Sequence, residues 1–396
     1  MQGPRITSPS DLASAHVSGS GRVTTLFAVV VAVLALLVLV DDRSPTTSTA
    51  QAEDEVGQDP AVQTSSAARI DPWMRRLAPG ERPPQFVLFS FDGAGSHEHW
   101  QRVREIAARN DARVTGFLSG LYLLSDEQKD RYTGPGHRTG QSSIGFGGTA
   151  EDVRTLVADL NLARDLGHEI GTHYNGHFCV GSPPSGKDWT QAMWGAELAS
   201  FRGFVDAARA DLGLRVEQAE IRGGRTPCLE GDPAQAMPAM AAAGLRYDTS
   251  RVSRGITWPV EVPTPAGLIR EYPMPTVTVP GLGKKVVLMD YNLWFSLNGA
   301  KDQPARAEEF RQVTLGAYRA AYDSAFAGNR APLVIGNHFN DWSGGGFSRA
   351  VEDFLGEACL RPETVCATYS QVDAWLDLQD PALVAQWRAL PPSGIS

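Results

Sequence analysis

Gly167-His168-Glu169-Ile170-Gly171-Thr172-His173-Tyr174-Asn175-Gly176-His177 gathers three of the chain's eight histidines into one short stretch. A zinc-protease helix carries two histidines four apart with glutamate directly after the first, so that both imidazoles share one helical face. His168 and His173 are five apart, which excludes that reading. His173 and His177 are four apart, and one helical turn after a strand directs both at a single ion. His168 opens the strand and lies on its far side from the pair, so it is assigned to structure.

Working outward, short β-type runs alternate with longer helical patterns from Gln85 onward, with no internal repeat. That alternation predicts an α/β fold on a parallel sheet. Strands are expected at 86–91, 113–118, 168–172, 218–222, 286–289 and 333–337. Helices are expected near 98–108, 151–165, 190–210, 233–243 and 305–327. Asp92, His173, Arg225, Asp290 and His338 each fall just past a strand candidate, where α/β barrels gather their catalytic groups.

The apolar strand ending in Asp92 is followed by Gly93-Ala94-Gly95, small residues that let a ligand approach the backbone. A carboxylate there can serve as general base, as metal ligand, or as a cap for the helix that follows. Trp294 and Trp342 follow Asp290 and His338, and suit either a sugar-stacking rim or the core. Trp189 and Trp194 lie at or within a helical pattern and are assigned to the core.

The N-terminal part sets the location. Residues 23–40 are uncharged, and as a helix these roughly 18 residues rise about 27 Å, close to the thickness of a bilayer's hydrocarbon core. Arg5 and Arg22 precede the run, and Asp41, Asp42 and Arg43 follow it, so residues 1–22 are expected in the cytoplasm and the remainder outside. Ala50-Gln51-Ala52 offers a cleavage site, but about a dozen residues past the apolar run, which favours an uncleaved anchor over a signal peptide. Residues 41–70 are polar, lack aromatics and read as a flexible linker ahead of a domain at 71–396. The net charge of −9 and the absence of a basic run argue against nucleic acid as a partner. Four cysteines fit an oxidising compartment. Cys359 and Cys366 flank a Pro-containing turn and could bridge locally, a Cys179–Cys228 pair would tie together the loops that follow two of the motifs, and the alternative is four free buried thiols.

A strand-end Asp, then Gly-His-Glu-Ile-Gly-Thr-His-x-x-x-His, then Arg225-Thr226-Pro227, then a late strand-end His resembles the polysaccharide deacetylase family. That family is also called the NodB-homology domain, or family four of the carbohydrate esterases, and the flavour is that of its chitin-deacetylase-like branch. The run 244–250, Met289-Asp290-Tyr291 and Pro332 leading to His338 support the likeness, which covers most of the chain beyond Gln85. The resemblance implies a distorted (β/α) barrel and a divalent, zinc-like ion (Zn) held by His173 and His177. It implies Asp92 as general base oriented by Arg225, and His338 as general acid tuned by Asp290. The implied activity is metal-dependent removal of acetyl groups from an extracellular or cell-wall polysaccharide. The other reading is a catalytically silent glycan-binding scaffold.

Two departures bear on that choice. Gly93 stands where the family has a second Asp that ligates the metal, and Tyr174 stands where it has Ser or Thr. The site then runs on two histidines and water, draws Asp92 onto the metal, recruits His97, Glu98 or His99, or loses catalysis.

Overall fold

A computed structural model describes residues 71–394. The readings made for 1–22, 23–40 and 41–70 lie outside the described residues. Among the described residues, no helix is long and apolar enough to cross a membrane.

The main sheet is built on β1 (Gln85–Gly93), β2 (Thr115–Leu118), β3 (Glu169–Thr172), β4 (Gly223–Gly224), β5 (Tyr247–Asp248), β7 (Val260–Thr264), β8 (Gly267–Glu271) and β11 (Leu333–His338). Their order is β11-β1-β2-β3-β4-β5-β8-β7, parallel up to β8 with β7 antiparallel at the edge, and β12 (Thr364–Cys366) pairs with the start of β1. Phe86, Val87, Leu88 and Phe89 have no exposed surface, as expected of a strand covered on both faces. A second sheet joins β6 (Val252–Arg254), β9 (Met274–Val279) and β10 (Lys284–Val287) in the order β10-β9-β6. The expected α/β fold on a mostly parallel sheet is present, and among the described residues the strand order runs from β11 at one end to β7 at the other. Beside β11 runs the segment after β10, where Leu288 accepts the Gly336 N–H at 3.1 Å and Met289 bridges Gly336.

The helices are α1 (His97–Arg109), α2 (Ala150–Asp165), α3 (Gln191–Leu212), α4 (Pro233–Ala242), α5 (Asp290–Asn298), α6 (Ala307–Ala327), α7 (Trp342–Ala358), α8 (Tyr369–Leu378) and α9 (Pro381–Arg388). Local chemistry sets their starts. Thr149 and Asp152 form a reciprocal capping box on α2, and Thr190 caps α3, which stops at Gly213 in the left-handed region (φ 72°). The helices expected near 98–108, 151–165, 190–210, 233–243 and 305–327 are α1, α2, α3, α4 and α6.

Two strand expectations fail for physical reasons. The segment 218–222 opens with a single 3₁₀ turn at Gln218–Glu220, and the strand is the next pair, Gly223–Gly224. A Cβ on Gly223 would lie 2.4 Å from the Tyr247 ring, and one on Gly224 would lie 2.4 Å from the Thr172 carbonyl. Only glycine permits that approach, and glycine carries no strand signal. The segment expected at 286–289 pairs instead as Lys284–Val287 in the second sheet, antiparallel to β9.

The close approach at β4 is testable by paired substitutions. Gly224→Ala should destabilise the fold by about 1–3 kcal/mol, the usual range for overpacking. Gly203→Ala, on the exposed face of α3 with open space around it, should be neutral or stabilising by up to about 1 kcal/mol. Urea titrations of both variants check this, and equal midpoints would show that the β3–β4 contact does not constrain the sheet.

Candidate active site

Register brings the polar residues together. Asp92 and His338 are paired neighbours at the ends of β1 and β11. The His173 N–H donates to the Leu118 carbonyl at 2.8 Å, and the Arg225 N–H donates to Thr172 at 3.0 Å. Each bond extends a ladder one residue past its strand, so both side chains emerge on the C-terminal rim of the sheet. Asp290 is the exception. It is the first residue of α5, following the bridge at Met289, and no main-sheet strand leads into it.

Arg225 is fully buried and every nitrogen of its guanidinium is engaged. Nη1 donates to Asp92 Oδ1 at 2.8 Å, and Nε donates to the Thr249 carbonyl at 3.1 Å. Nη2 meets Ser90 Oγ at 3.0 Å and the Tyr369 hydroxyl at 3.1 Å. Asp92 is buried too. Burial works against its charge, but Arg225, His173 and His338 outweigh it and hold the carboxyl below its ordinary range.

His173 gives its Nδ1–H to the Arg225 carbonyl at 2.8 Å, an arrangement that leaves Nε2 as the lone-pair nitrogen. Burial pushes its pKa down to about 3 and burial also lowers that of His177, so both rings are neutral near pH 7. The two rings lie 5.3 Å apart by centroid. The turn that joins them is not the expected helical one: Tyr174 (φ 57°) and His177 (φ 54°) are left-handed. The buried Glu197 carboxylate on α3 accepts the N–H groups of Asn175 and Gly176 at 3.1 Å each, which supports the turn. Tyr174 is buried against Trp194, at 5.0 Å between centroids.

His338 is held twice by Asp290: its ring Nδ1 meets Oδ1 and its backbone N–H donates to Oδ2, each at 2.7 Å. Burial opposes the imidazolium, but Asp290 and then Asp92 prevail and raise its pKa above the ordinary histidine value. A cavity of about 520 Å³ is lined by Asp92, His173, His177, His338, Tyr122 and Trp342 among others. Trp342 is half-buried, whereas Trp294 stacks on it from behind at 4.9 Å and belongs to the core. Trp189 and Trp194 are core residues, and both disulfides, Cys179–Cys228 and Cys359–Cys366, are present.

His168, His97 and His99 are engaged elsewhere. His168 accepts the Val114 N–H at 3.2 Å, away from the cavity. His97 pairs with Asp159 at 2.7 Å, His99 lies 3.2 Å from Asp341, and Glu98 is bound by Ser96. None of the three lines the cavity, so His97, Glu98 and His99 do not replace the missing ligand.

Tyr122 is a cavity residue that the sequence does not announce, because it sits in a 3₁₀ turn beyond β2 with no motif around it. Its ring lies over Gly95, where an added Cβ would come within 2.5 Å. An added Cβ at Gly93 would lie 3.6 Å from the same ring and 3.7 Å from its hydroxyl, which is ordinary contact.

The donor set fits a divalent cation incompletely. Two neutral imidazoles and an ionised carboxylate share the cavity, the chemistry that such an ion requires. Yet among the described residues the one trio of His, Cys, Asp or Glu ligand atoms lying mutually within 4.8 Å is His177, Cys179 and Cys228, whose sulfurs are bonded to each other. Asp92, tied to Arg225, does not close a tripod with the two histidines.

No family profile matches the chain, and no curated protein matches it. Solved structures do. A candidate polysaccharide deacetylase from Mycobacterium smegmatis is similar at 18% identity and a TM-score of 0.45, over 81% of this chain and 98% of that one. A family 4 carbohydrate esterase from Streptomyces lividans, solved with acetate, is similar at 14% identity and 0.38, over 74% and 97%. A wild-type family 4 pseudoenzyme from Bacillus anthracis is similar at 12% and 0.40, over 76% and 71%. These are polysaccharide-deacetylase structures, of the kind whose motifs the sequence resembles. The likeness is distant, and the chemistry is argued from the side chains of the cavity.

Gly93 offers the direct test of the ligand set. Gly93→Asp supplies an oxygen beside His173 and His177 and should raise zinc affinity. Because φ is +83° there, it should also cost about 1–2 kcal/mol of stability. Chelator competition and thermal melting read the two effects, and unchanged affinity would show that no ligand is lacking.

Proposed function

We propose that this chain is a metal-dependent hydrolase that removes N-acetyl groups from an extracellular or cell-wall polysaccharide, held at a membrane by the apolar run 23–40. The supporting observation is that one cavity sets an arginine-held carboxylate beside an aspartate-held imidazole, with their proton affinities driven apart. Asp92 is kept ionised and His338 is drawn toward its protonated form. Such a divergence between neighbouring groups suits them to divide the roles of base and acid.

A divalent ion held by His173 and His177 would supply Lewis acidity toward the acyl oxygen and toward water. The chain's own groups handle the protons. Asp92, with Oδ1 fixed by Arg225, accepts the proton of the attacking water through Oδ2. The Nδ1 contact with Asp290 presents the His338 Nε2–H as the donor to the departing amine. Trp342 supplies an apolar face at the rim for a sugar ring.

The silent-scaffold reading draws on the incomplete tripod around Gly93. Acetate release from a panel of acetylated glycans separates the two: a zinc-loaded protein that binds glycan and frees no acetate would overturn the enzyme reading. The acid assignment makes its own demand. Asp290→Asn removes the charge that raises His338, so the alkaline limb of kcat/KM should move to lower pH, with activity down about a hundredfold or more. An unmoved limb would remove His338 from the role of acid.

A further inference from the structure

The disulfide between the loops after His177 and Arg225 carries more than cross-linking. Cys179 lies two residues past His177, and its sulfur is 3.5 Å from His177 Nδ1. Cys228 is an exposed residue and lines the cavity. The ligand atoms of His177, Cys179 and Cys228 all lie within 4.8 Å of one another. His177 (φ 54°), Cys228 (φ 57°) and Leu229 (φ 57°) are all left-handed, and a bond between the two loops helps to hold such conformations.

We propose that Cys179–Cys228 is a redox switch whose reduced form is a second metal site. In it His177 and the two sulfurs take a soft divalent cation such as zinc and draw His177 away from His173. A tetrahedral zinc site with Zn–S bonds of about 2.3 Å and Zn–N bonds of about 2.0 Å spans less than about 4 Å between ligands. The three ligand atoms lie within 4.8 Å of one another, and the two sulfurs part to that spacing once their bond is broken. Two thiolates with one imidazole also outrank two imidazoles as ligands for zinc. The oxidised bond denies both sulfurs to a metal and leaves His177 to the hydrolytic pair.

The chemistry balances with a dithiol as reductant. Its thiolate attacks Cys228 Sγ, the S–S bond breaks and Cys179 leaves as thiolate. The second thiol of the reductant then displaces Cys228 and closes the reductant's own disulfide. Two electrons have passed to the protein, and metal capture leaves both cysteines as thiolates with their protons released to water. As regulation, the switch rests on the hydrolase reading. The capture of metal does not.

The experiment uses the full chain, metal-free, either untreated or reduced with a phosphine that is then removed anaerobically. The phosphine becomes its oxide, with water supplying the oxygen and both thiol protons. Cobalt(II) is the probe, because thiolate ligation gives a sulfur-to-cobalt charge-transfer band in the near ultraviolet. The band should be absent from the untreated protein and appear with one equivalent after reduction. It should persist in His173→Ala and in a Cys359→Ser/Cys366→Ser variant, and disappear in Cys228→Ser. No band in the reduced parent would overturn the proposal, and so would a band that vanishes with Cys359 and Cys366. The comparison of untreated with reduced parent needs no variant to fold. Acetate release is read separately: it should fall on reduction in the presence of zinc and return on reoxidation. A parent that never releases acetate counts against the hydrolase and leaves metal capture to be judged by the band.

Discussion

The buried guanidinium of Arg225 is the contact on which the site depends. It is a full charge with no exposed side-chain surface, compensated by Asp92 and by hydrogen bonds to Ser90, Thr249 and Tyr369. Its ring of partners draws on β1, the turn after β5 and the start of α8, and the Phe117 ring on β2 lies 4.9 Å from it. Removing one partner of a buried ion pair typically costs about 3–5 kcal/mol, because the other charge is left without compensation. The same residue's carbonyl fixes His173 through Nδ1. One side chain and its own backbone therefore set the direction of the proposed base and the tautomer of the proposed ligand.

Across the cavity Asp290 plays the corresponding part for His338, and the contrast is one of environment. Asp92 faces a fixed cation and two imidazoles, so its negative charge is stabilised despite burial. His338 faces two carboxylates, so its positive charge is stabilised despite burial. His173 lies deeper, where desolvation dominates, and stays neutral. One carboxylate and two imidazoles within one rim thus reach three protonation behaviours from the same backbone scaffold.

How much of this the sequence carried follows from where its signals are strong. β1 is legible as a continuous apolar run ending in Asp92, and the pairing of His173 with His177 is legible as a spacing. Both disulfides follow the cysteines' positions. The Gly223–Gly224 strand is not legible, since it exists through an absence of side chains that lets Thr172 and Tyr247 come close. The start of α7 is hidden in the same way by Gly344-Gly345-Gly346. The turn between His173 and His177 depends on Glu197, twenty residues further on and buried, and its left-handed residues carry no local signature. Tyr122 reaches the cavity through packing over Gly95, and that contact has no sequence pattern at all.

The most direct measurement is zinc content together with acetate release in Asp92→Asn and its parent. The amide keeps the shape of the carboxylate and a hydrogen bond to Arg225 but cannot accept a proton. The account predicts zinc content equal to the parent's, with turnover lower by about a hundredfold to ten-thousandfold. Zinc lost along with turnover would make Asp92 a metal ligand, and turnover unchanged would contradict its place at the centre of the chemistry.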